Sequence, residues 1–441
     1  MEKFSKKIGT IPNDWDFVNA KDCLILESGM RPKEHVTDID TDIPSLGGEN
    51  IDENGFLTFE NVRYISPTYY GKMKKGHIKD EDIYINKDGA NTGKIAFSKK
   101  KPFAECAVNE HVFIIRNNGT FIQQYLFYCL LANFGKQQIL KKIIGSAQEG
   151  INNSFTKGII LPKPSLPEQT AIANILSKVD EAIESVKKSI AAAERLKKSM
   201  MQNLLTGKMK ADGTFRTEEE FYDDPKFGKV PVGWEVKKVK ELSDFVQYGL
   251  NQASSENSEI PMLRMNNILK GKMTDFPLVY VDLNDTLLNQ YKLAKGDILF
   301  NRTNSMDLVG KVGIFELEGD FVFASYLIRV KVSPVNNSSY VNYALNSYPI
   351  QCSLRSKATP SVSQANINSN SLRNTSILIP INKDEQDMIV SIISKIEEQI
   401  NNKQNQIITL ERLKKSLMQN LLTGKVRVGE GKHLNIKTYD R

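Results

Sequence analysis

Residues Glu194 to Lys210 read ERLKKSMMQNLLTGKMK, and Glu411 to Arg427 read ERLKKSLMQNLLTGKVR, 217 residues further on. The same offset carries Glu168-Gln169 onto Glu385-Gln386, Ile160-Leu161-Pro162 onto Ile377-Leu378-Ile379, and Gly93-Lys94-Ile95 onto Gly310-Lys311-Val312. The halves also open alike, Ile11-Pro12-Asn13-Asp14-Trp15 against Val230-Pro231-Val232-Gly233-Trp234, at an offset of 219. The match is close after Glu168 and Glu385 but scattered before them. One chain therefore holds two copies of a shared frame and two divergent inserts, and the many short units of a solenoid are excluded.

Within the shared frame the apolar positions follow helical spacing: Leu176, Val179, Ile183, Val186, Ile190, Ala193, Leu196, Met200 and Leu204. The positions 217 residues on are Ile393, Ile396, Ile400, Lys403, Ile407, Leu410, Leu413, Leu417 and Leu421, with Lys403 the interruption. Steps of three and four alternate as in a coiled-coil seam, and the two successive threes from 190 to 196 predict a stammer. Pro167 suits a first helical turn, Asp384 an N-cap, and Gly207 and Gly424 the stops. Each helix of about 35 to 40 residues would measure ~55 Å. A stripe that long needs a partner, and the second copy supplies one. An antiparallel pair would place the unlike domains at opposite ends of a rod related by a pseudo-twofold axis.

The expected fold class is α+β: two mixed α/β domains joined by two long antiparallel coiled-coil helices. The segments are residues 1–166 (first domain), 167–229 (helix and linker), 230–380 (second domain) and 381–441 (second helix and tail). Short apolar runs such as Val112–Arg116, Asp297–Phe300 and Phe321–Phe323 read as strands, and Phe121–Lys142 and Tyr340–Arg355 as helices.

With 40% hydrophobic and 25% charged residues and a mean hydropathy of −0.36, the 441-residue chain has a globular composition. Neither an apolar leader nor a membrane-length apolar run occurs, which predicts a cytoplasmic protein with no membrane partner. Cys23, Cys106, Cys129 and Cys352 form no CxxC pair and are expected as reduced thiols. The net charge of +7 is diffuse; residues 1–166 hold 22 basic against 20 acidic side chains. Charge alone therefore does not establish a polyanionic partner.

Catalytic signatures are lacking. Gly89-Ala-Asn-Thr-Gly93-Lys94 has the wrong spacing for a P-loop and reads as a turn between strands. His35, His77, His111 and His433 have no metal-ligand spacing, no Asn-Pro-Pro or Asp-Pro-Pro tetrapeptide core is present, and no GxSxG occurs. No metal or cofactor is expected on this chain. The inserts offer instead polar loops bracketed by glycine. In the first these place Arg31, Lys72, Lys74, Lys75, Asn91, Lys94, Ser146 and Gln148 as candidate DNA contacts. In the second the candidates are Asn251, Arg264, Asn266, Arg302, Asn304, Ser305, Lys311, Lys357, Ser361, Ser363 and Gln364. Arg and Lys suit guanine edges, Asn and Gln adenine edges, and hydroxyls phosphates.

Over essentially its full length the chain resembles type I restriction-modification specificity subunits. The resemblance rests on the Pro-x-x-Trp openings, on ILPKPSLPEQ (160–169) and ILIPINKDEQ (377–386), and on the doubled ERLKKSxMQNLLTGK. It implies a non-catalytic protein in which each insert reads one half of a bipartite, usually asymmetric, double-stranded DNA site while the helices set the spacer. It further implies docking of two methyltransferase subunits, and through them two restriction subunits, with S-adenosylmethionine, ATP and Mg used by those partners. A specificity subunit of a methyltransferase-only or inactive system fits the same residues. A coiled-coil protein-interaction scaffold is the contrasting reading, separable by salt-dependent, sequence-specific DNA affinity.

Overall fold

The computed structural model describes residues 11–31, 42–144, 150–255, 258–360 and 364–428, in two compact units. One takes the chain up to residue 187 and again from 405; the other takes residues 188–404. The long helices run Leu166–Leu205 and Lys383–Leu421, so each unit combines one insert with part of both helices. No described helix is long and apolar enough to cross a membrane.

In the first unit Asp16–Asn19 enters beside Ile160–Lys163, the exit strand, with which it pairs antiparallel. The central antiparallel sheet has the order Leu24–Ser28, Val112–Asn117, Asp82–Asn86, Ile95–Ser98. Its middle strands carry the unbroken apolar runs Ile83–Ile85 and Val112–Ile115 because both faces are covered. Ile83, Ile85 and Ile115 join Leu126 and Leu130 in one core, while Tyr84 and Ile114 face Leu46 and Val108 in another. Each buried isoleucine contributes roughly 1.5–3 kcal/mol.

The second unit repeats this plan. Trp234–Lys238 pairs with Ser376–Pro380 as entry and exit. Ser243–Tyr248, Leu327–Val332, Ile298–Asn301 and Val312–Ile314 form the matching sheet, extended by Lys272–Met273 and Ile268–Leu269. The helix expected over 121–142 is two, Gln123–Leu131 and Asn133–Leu140, broken at Ala132; a side chain on Gly135 would strike the Cys129 carbonyl at 2.2 Å. The one expected over 340–355 is also two, Ser338–Asn346 and Tyr348–Arg355, with Pro349 in the first turn of the second. A proline there starts a helix and cannot continue one.

The repeated motifs meet one another. In the first unit Trp15 Nε1 donates to Glu168 Oε2 (3.1 Å), Arg427 Nε donates to Glu168 Oε1 (2.7 Å), and the Arg427 guanidinium lies 5.7 Å from the Trp15 ring. In the second, Trp234 Nε1 and Arg216 Nη2 both donate to Glu385 Oε1, at 3.1 and 2.6 Å. Gly424 and Gly207, with φ of +68° and +67°, end the helices where an added Cβ would come within 2.4 Å of Pro12 and 2.2 Å of Pro231. Gln169 and Gln386 each accept from a backbone amide of their own insert, Ile122 N and Asn337 N, both at 2.8 Å. The Pro-x-x-Trp, Glu-Gln and Thr-Gly-Lys signatures are thus the parts of one joint, made twice.

Two helix details differ from the sequence reading. The residue capping the second helix is Asn382, whose Oδ1 accepts from Asp384 N at 2.9 Å, so Asp384 is already helical. Leu176, Val179, Ile183, Leu204, Ile393, Ile396, Ile400 and Leu421 are buried, and Ile190, Ile407 and Lys403 partly so. Leu196 and Leu413, however, are 51% and 46% exposed. The inward positions belong to Lys197 and Lys414, so the spacing 190, 193, 197, 200, 204 keeps alternating and the stammer disappears. Lysine tolerates this because its stem packs, Lys414 lying 5.1 Å from the Phe56 ring, while its ammonium finds a carboxylate.

Candidate nucleic-acid interface

The turn Gly89–Lys94 joins two central strands, as its sequence suggested: Thr92 N donates to Gly89 O and Lys94 N to Asn91 O, both at 3.0 Å. Asn91 Nδ2 is 3.4 Å from Gly48 O, and the Lys94 ammonium is 3.4 Å from Glu53. Lys72, Lys74 and Lys75 are exposed at and just beyond the short helix Pro67–Lys72, and Arg31, 86% exposed, reaches Glu110 at 3.5 Å. In the second unit Asn251, Asn266, Ser305, Lys311 and Gln364 are exposed, and Asn304 is half-buried. Lys357 Nζ donates to Thr375 Oγ1 (3.3 Å); burial and the Lys226 charge lower its pKa. Ser146, Gln148, Ser361 and Ser363 lie outside the described residues.

Several of these side chains converge at the ends of the central strands. Thr303–Asn304 and Thr359–Pro360 both pair with Ala365–Asn366, which brings the loops bearing Arg302, Asn304, Ser305 and Gln364 together. Arg302 lies 5.0 Å from the Tyr248 ring; its Nη atoms reach Ser325 O and Asn366 Oδ1 only at 3.5 Å, and its Nε is buried without a partner. Arg264 likewise carries an unpartnered buried Nε. The Arg302 Nη donors, held only by these long contacts, are suited to an incoming acceptor. Burial disfavours the Tyr248 phenolate, but hydrogen bonds with Ser369 and the Arg302 charge outweigh it and draw that phenol below its usual pKa.

The same backbone frame recurs in the first unit with other side chains on it. Arg302 N donates to Tyr326 O and its carbonyl accepts from Ile367 N; Lys87 N donates to His111 O and its carbonyl accepts from Ile151 N. Lys87 thus stands for Arg302 and His111 for Tyr326. Lys87 Nζ is 5.6 Å from the Phe113 ring, and His111 Nδ1 is 2.5 Å from Asp88 Oδ1. Sequence reading missed Lys87, Asp88, His111, Tyr326 and Asn366 as candidates, and it took Tyr248 only as the start of the candidate loop 248–251. Asn86 and Asn301, each buried and each preceding the variable residue, are structural counterparts, but they lie 215 residues apart and the offset of 217 does not align them. Conversely, Asn267, which lay within a candidate loop, is structural. Its side chain accepts from Arg264 N and donates to the Thr274 and Pro277 carbonyls, and Asn50 does the same for Gly47, Thr58 and Glu60.

Among the described residues no group of three or more His, Cys, Asp or Glu side chains could hold a metal ion.

A chain with two such frames on shared helical joints matches the type I restriction modification DNA specificity domain at residues 12–195 and again at 231–412, and it belongs to that family. It is similar to the type I restriction enzyme MjaVIII specificity subunit of Methanocaldococcus jannaschii, 28% identical and covering 98% of this chain and 97% of that one. Likeness to the EcoKI specificity subunit of Escherichia coli K12 is 21% identity over 89% of this chain and 86% of that one. The fold resembles the S subunit of a type I restriction-modification system from M. genitalium (TM-score 0.56, 14% identity, 93% of this chain and 98% of that one). The chain is a type I specificity subunit, the non-catalytic DNA-recognition component of a restriction-modification complex.

Proposed function

We propose that each unit reads one half of a bipartite DNA site through its strand-end loops, the Lys87–His111 cluster in the first and the Arg302–Tyr248–Asn366 cluster in the second. The observation that carries this reading is the shared backbone frame with unlike side chains. One scaffold presenting lysine and histidine in one half, and arginine and tyrosine in the other, suits an asymmetric target. A bidentate arginine is worth ~1–3 kcal/mol of base discrimination. The exposed lysines 72, 74 and 75 serve phosphates.

The domain division follows: residues 1–166 and 230–380 recognise DNA, while 167–229 and 381–441 form the frame. The long helices act as an antiparallel coiled-coil ruler for the unread spacer. At 1.5 Å per residue a 40-residue helix is about 60 Å long, compared with ~34–36 Å per DNA turn. The duplicated joints offer equivalent surfaces to two methyltransferase subunits, and through them to two restriction subunits. S-adenosylmethionine, ATP and Mg belong to those partners. Selection of bound sequences from a randomised duplex library, at two salt concentrations, tests the recognition claim. Enrichment of two short motifs at fixed separation supports it, and salt-sensitive binding without enrichment refutes it.

A further inference from the structure

The first unit holds a cleft of about 1070 Å³ between the insert and the C-terminal part of the second helix, and the recognition reading leaves it unused. Its floor is apolar, with Phe56, Phe134 and Met418. Its rim is cationic. Arg412, Lys415 and Lys425 are exposed and form no ion pair among the described residues. The acids at the rim are engaged, Glu53 with Lys94 at 3.4 Å and Glu411 with the Asn54 amide at 3.4 Å. Burial, reinforced by the Lys414 and Lys94 charges against the pull of Glu53, holds the Lys136 ammonium below its ordinary pKa, and a bound anion would relieve that.

The second unit indicates what fits. Thr206, Lys208, Ser347 and Pro349 occupy the places that Thr423, Lys425, Ala132 and Phe134 hold in the cleft. There the chain's own linker, Thr217-Glu-Glu-Glu-Phe-Tyr-Asp-Asp224, and the residues just before it reach that end of the groove, with Phe215, Glu218 and Phe221 sharing a cavity of about 690 Å³ with it. Two aromatic side chains and one acid of the linker region thus border that end in one unit, Phe215 65% exposed and Glu218 paired with Lys229 at 3.7 Å.

We propose that the cleft of the first unit docks an acidic, aromatic-containing peptide segment of a partner protein. Cations on the rim supply charge complementarity and rate, and the apolar floor supplies pockets for ring side chains. A phosphodiester backbone would use the rim and leave the floor empty, which favours a peptide over nucleic acid. The inference stands on the cleft alone and does not depend on how DNA is read.

The probe is a fluorescent peptide of sequence TEEEFYDD, titrated against the full chain by anisotropy. Saturable binding is expected, with the double variant Arg412→Glu/Lys415→Glu weakening it at least about tenfold. The matching pair in the second unit, Arg195→Glu/Lys198→Glu, leaves it unchanged. All four side chains are exposed, and an unaltered thermal midpoint shows that each variant is folded. Absence of saturable binding overturns the proposal, as does equal loss in both variants. Displacement by a single-stranded oligonucleotide of equal charge overturns it in favour of nucleic acid.

Discussion

Lys414 Nζ lies 2.7 Å from Asp180 Oδ1, with the two side chains 8% and 14% exposed, and Asp180 Oδ2 accepts from Tyr128 OH at 2.8 Å. The second unit repeats the trio as Lys197, Glu397 and Tyr343, at 2.6 and 2.9 Å. In the first unit Leu176 lies in one core with Met418 and Leu421, so rising numbers on one helix meet falling numbers on the other. A buried pair of this kind adds little net stability, because desolvation offsets the attraction, but it penalises any register that separates the partners. Lys414→Met should therefore cost ~3–5 kcal/mol in urea unfolding, by stranding Asp180, while Lys414→Met/Asp180→Leu recovers most of that loss. Equal destabilisation by the single and double variants would contradict a register role.

Base-reading and phosphate-holding residues should separate in their signatures. Arg302→Ala is expected to cost ~1–3 kcal/mol of affinity and to relax one half of the target only, and Lys87→Ala to relax the other half. Lys75→Ala should weaken all sequences alike and lower the salt slope by about one. Library selection with each variant reads both effects, and loss of specificity in both halves from either Arg302→Ala or Lys87→Ala would refute the assignment of one cluster to each half.

The joint of the first unit should respond to acid. The hydrogen bonds of Arg427 to Asp14, at 2.9 and 2.7 Å, outweigh burial and hold the Asp14 carboxyl below its ordinary pKa. A depressed carboxylate contributes stability above its unfolded value of 3.8 and loses it as pH falls through the folded value. Because Asp14 is largely exposed, the contribution is below about 1 kcal/mol. Asp14→Asn should be slightly less stable than the parent at pH 6, with the gap narrowing as pH falls below 3.8; a gap that does not narrow would mean the charge is irrelevant.

Thiol reactivity should be confined to one position. Cys23, Cys106 and Cys129 are buried, and burial raises all three pKa values, that of Cys23 to about 11, whereas Cys352 is exposed. Iodoacetamide at pH 8 should label Cys352 alone in the folded chain, and rapid labelling of a second thiol would contradict the core assignment.

The frame was legible from sequence because its parts occur twice: Trp15 and Trp234, Glu168 and Glu385, Gly207 and Gly424 are matched residues that meet in matched joints. The seam was misplaced by one residue because Leu196 looks more apolar than Lys197, and only tertiary context reveals that a buried acid, Glu397, awaits the ammonium. The helix break at Ala132 was hidden for a similar reason, since it depends on a close backbone approach at Gly135, whereas Pro349 marked the break at Ser347 in the sequence itself. The strand-end clusters were legible only in part. Arg302 stood out as an isolated cation in a polar loop, but Lys87 and His111 acquire meaning only once the sheet places them on the frame that Arg302 and Tyr326 occupy.

The most direct test of the central claim is to co-express the chain with its methyltransferase subunit in a host lacking adenine methylation and to map modified adenines genome-wide. A single motif with two short, unlike, defined halves and a fixed undefined gap is predicted. A stable complex that modifies no motif, or one that modifies a continuous motif without a gap, would contradict two-unit recognition.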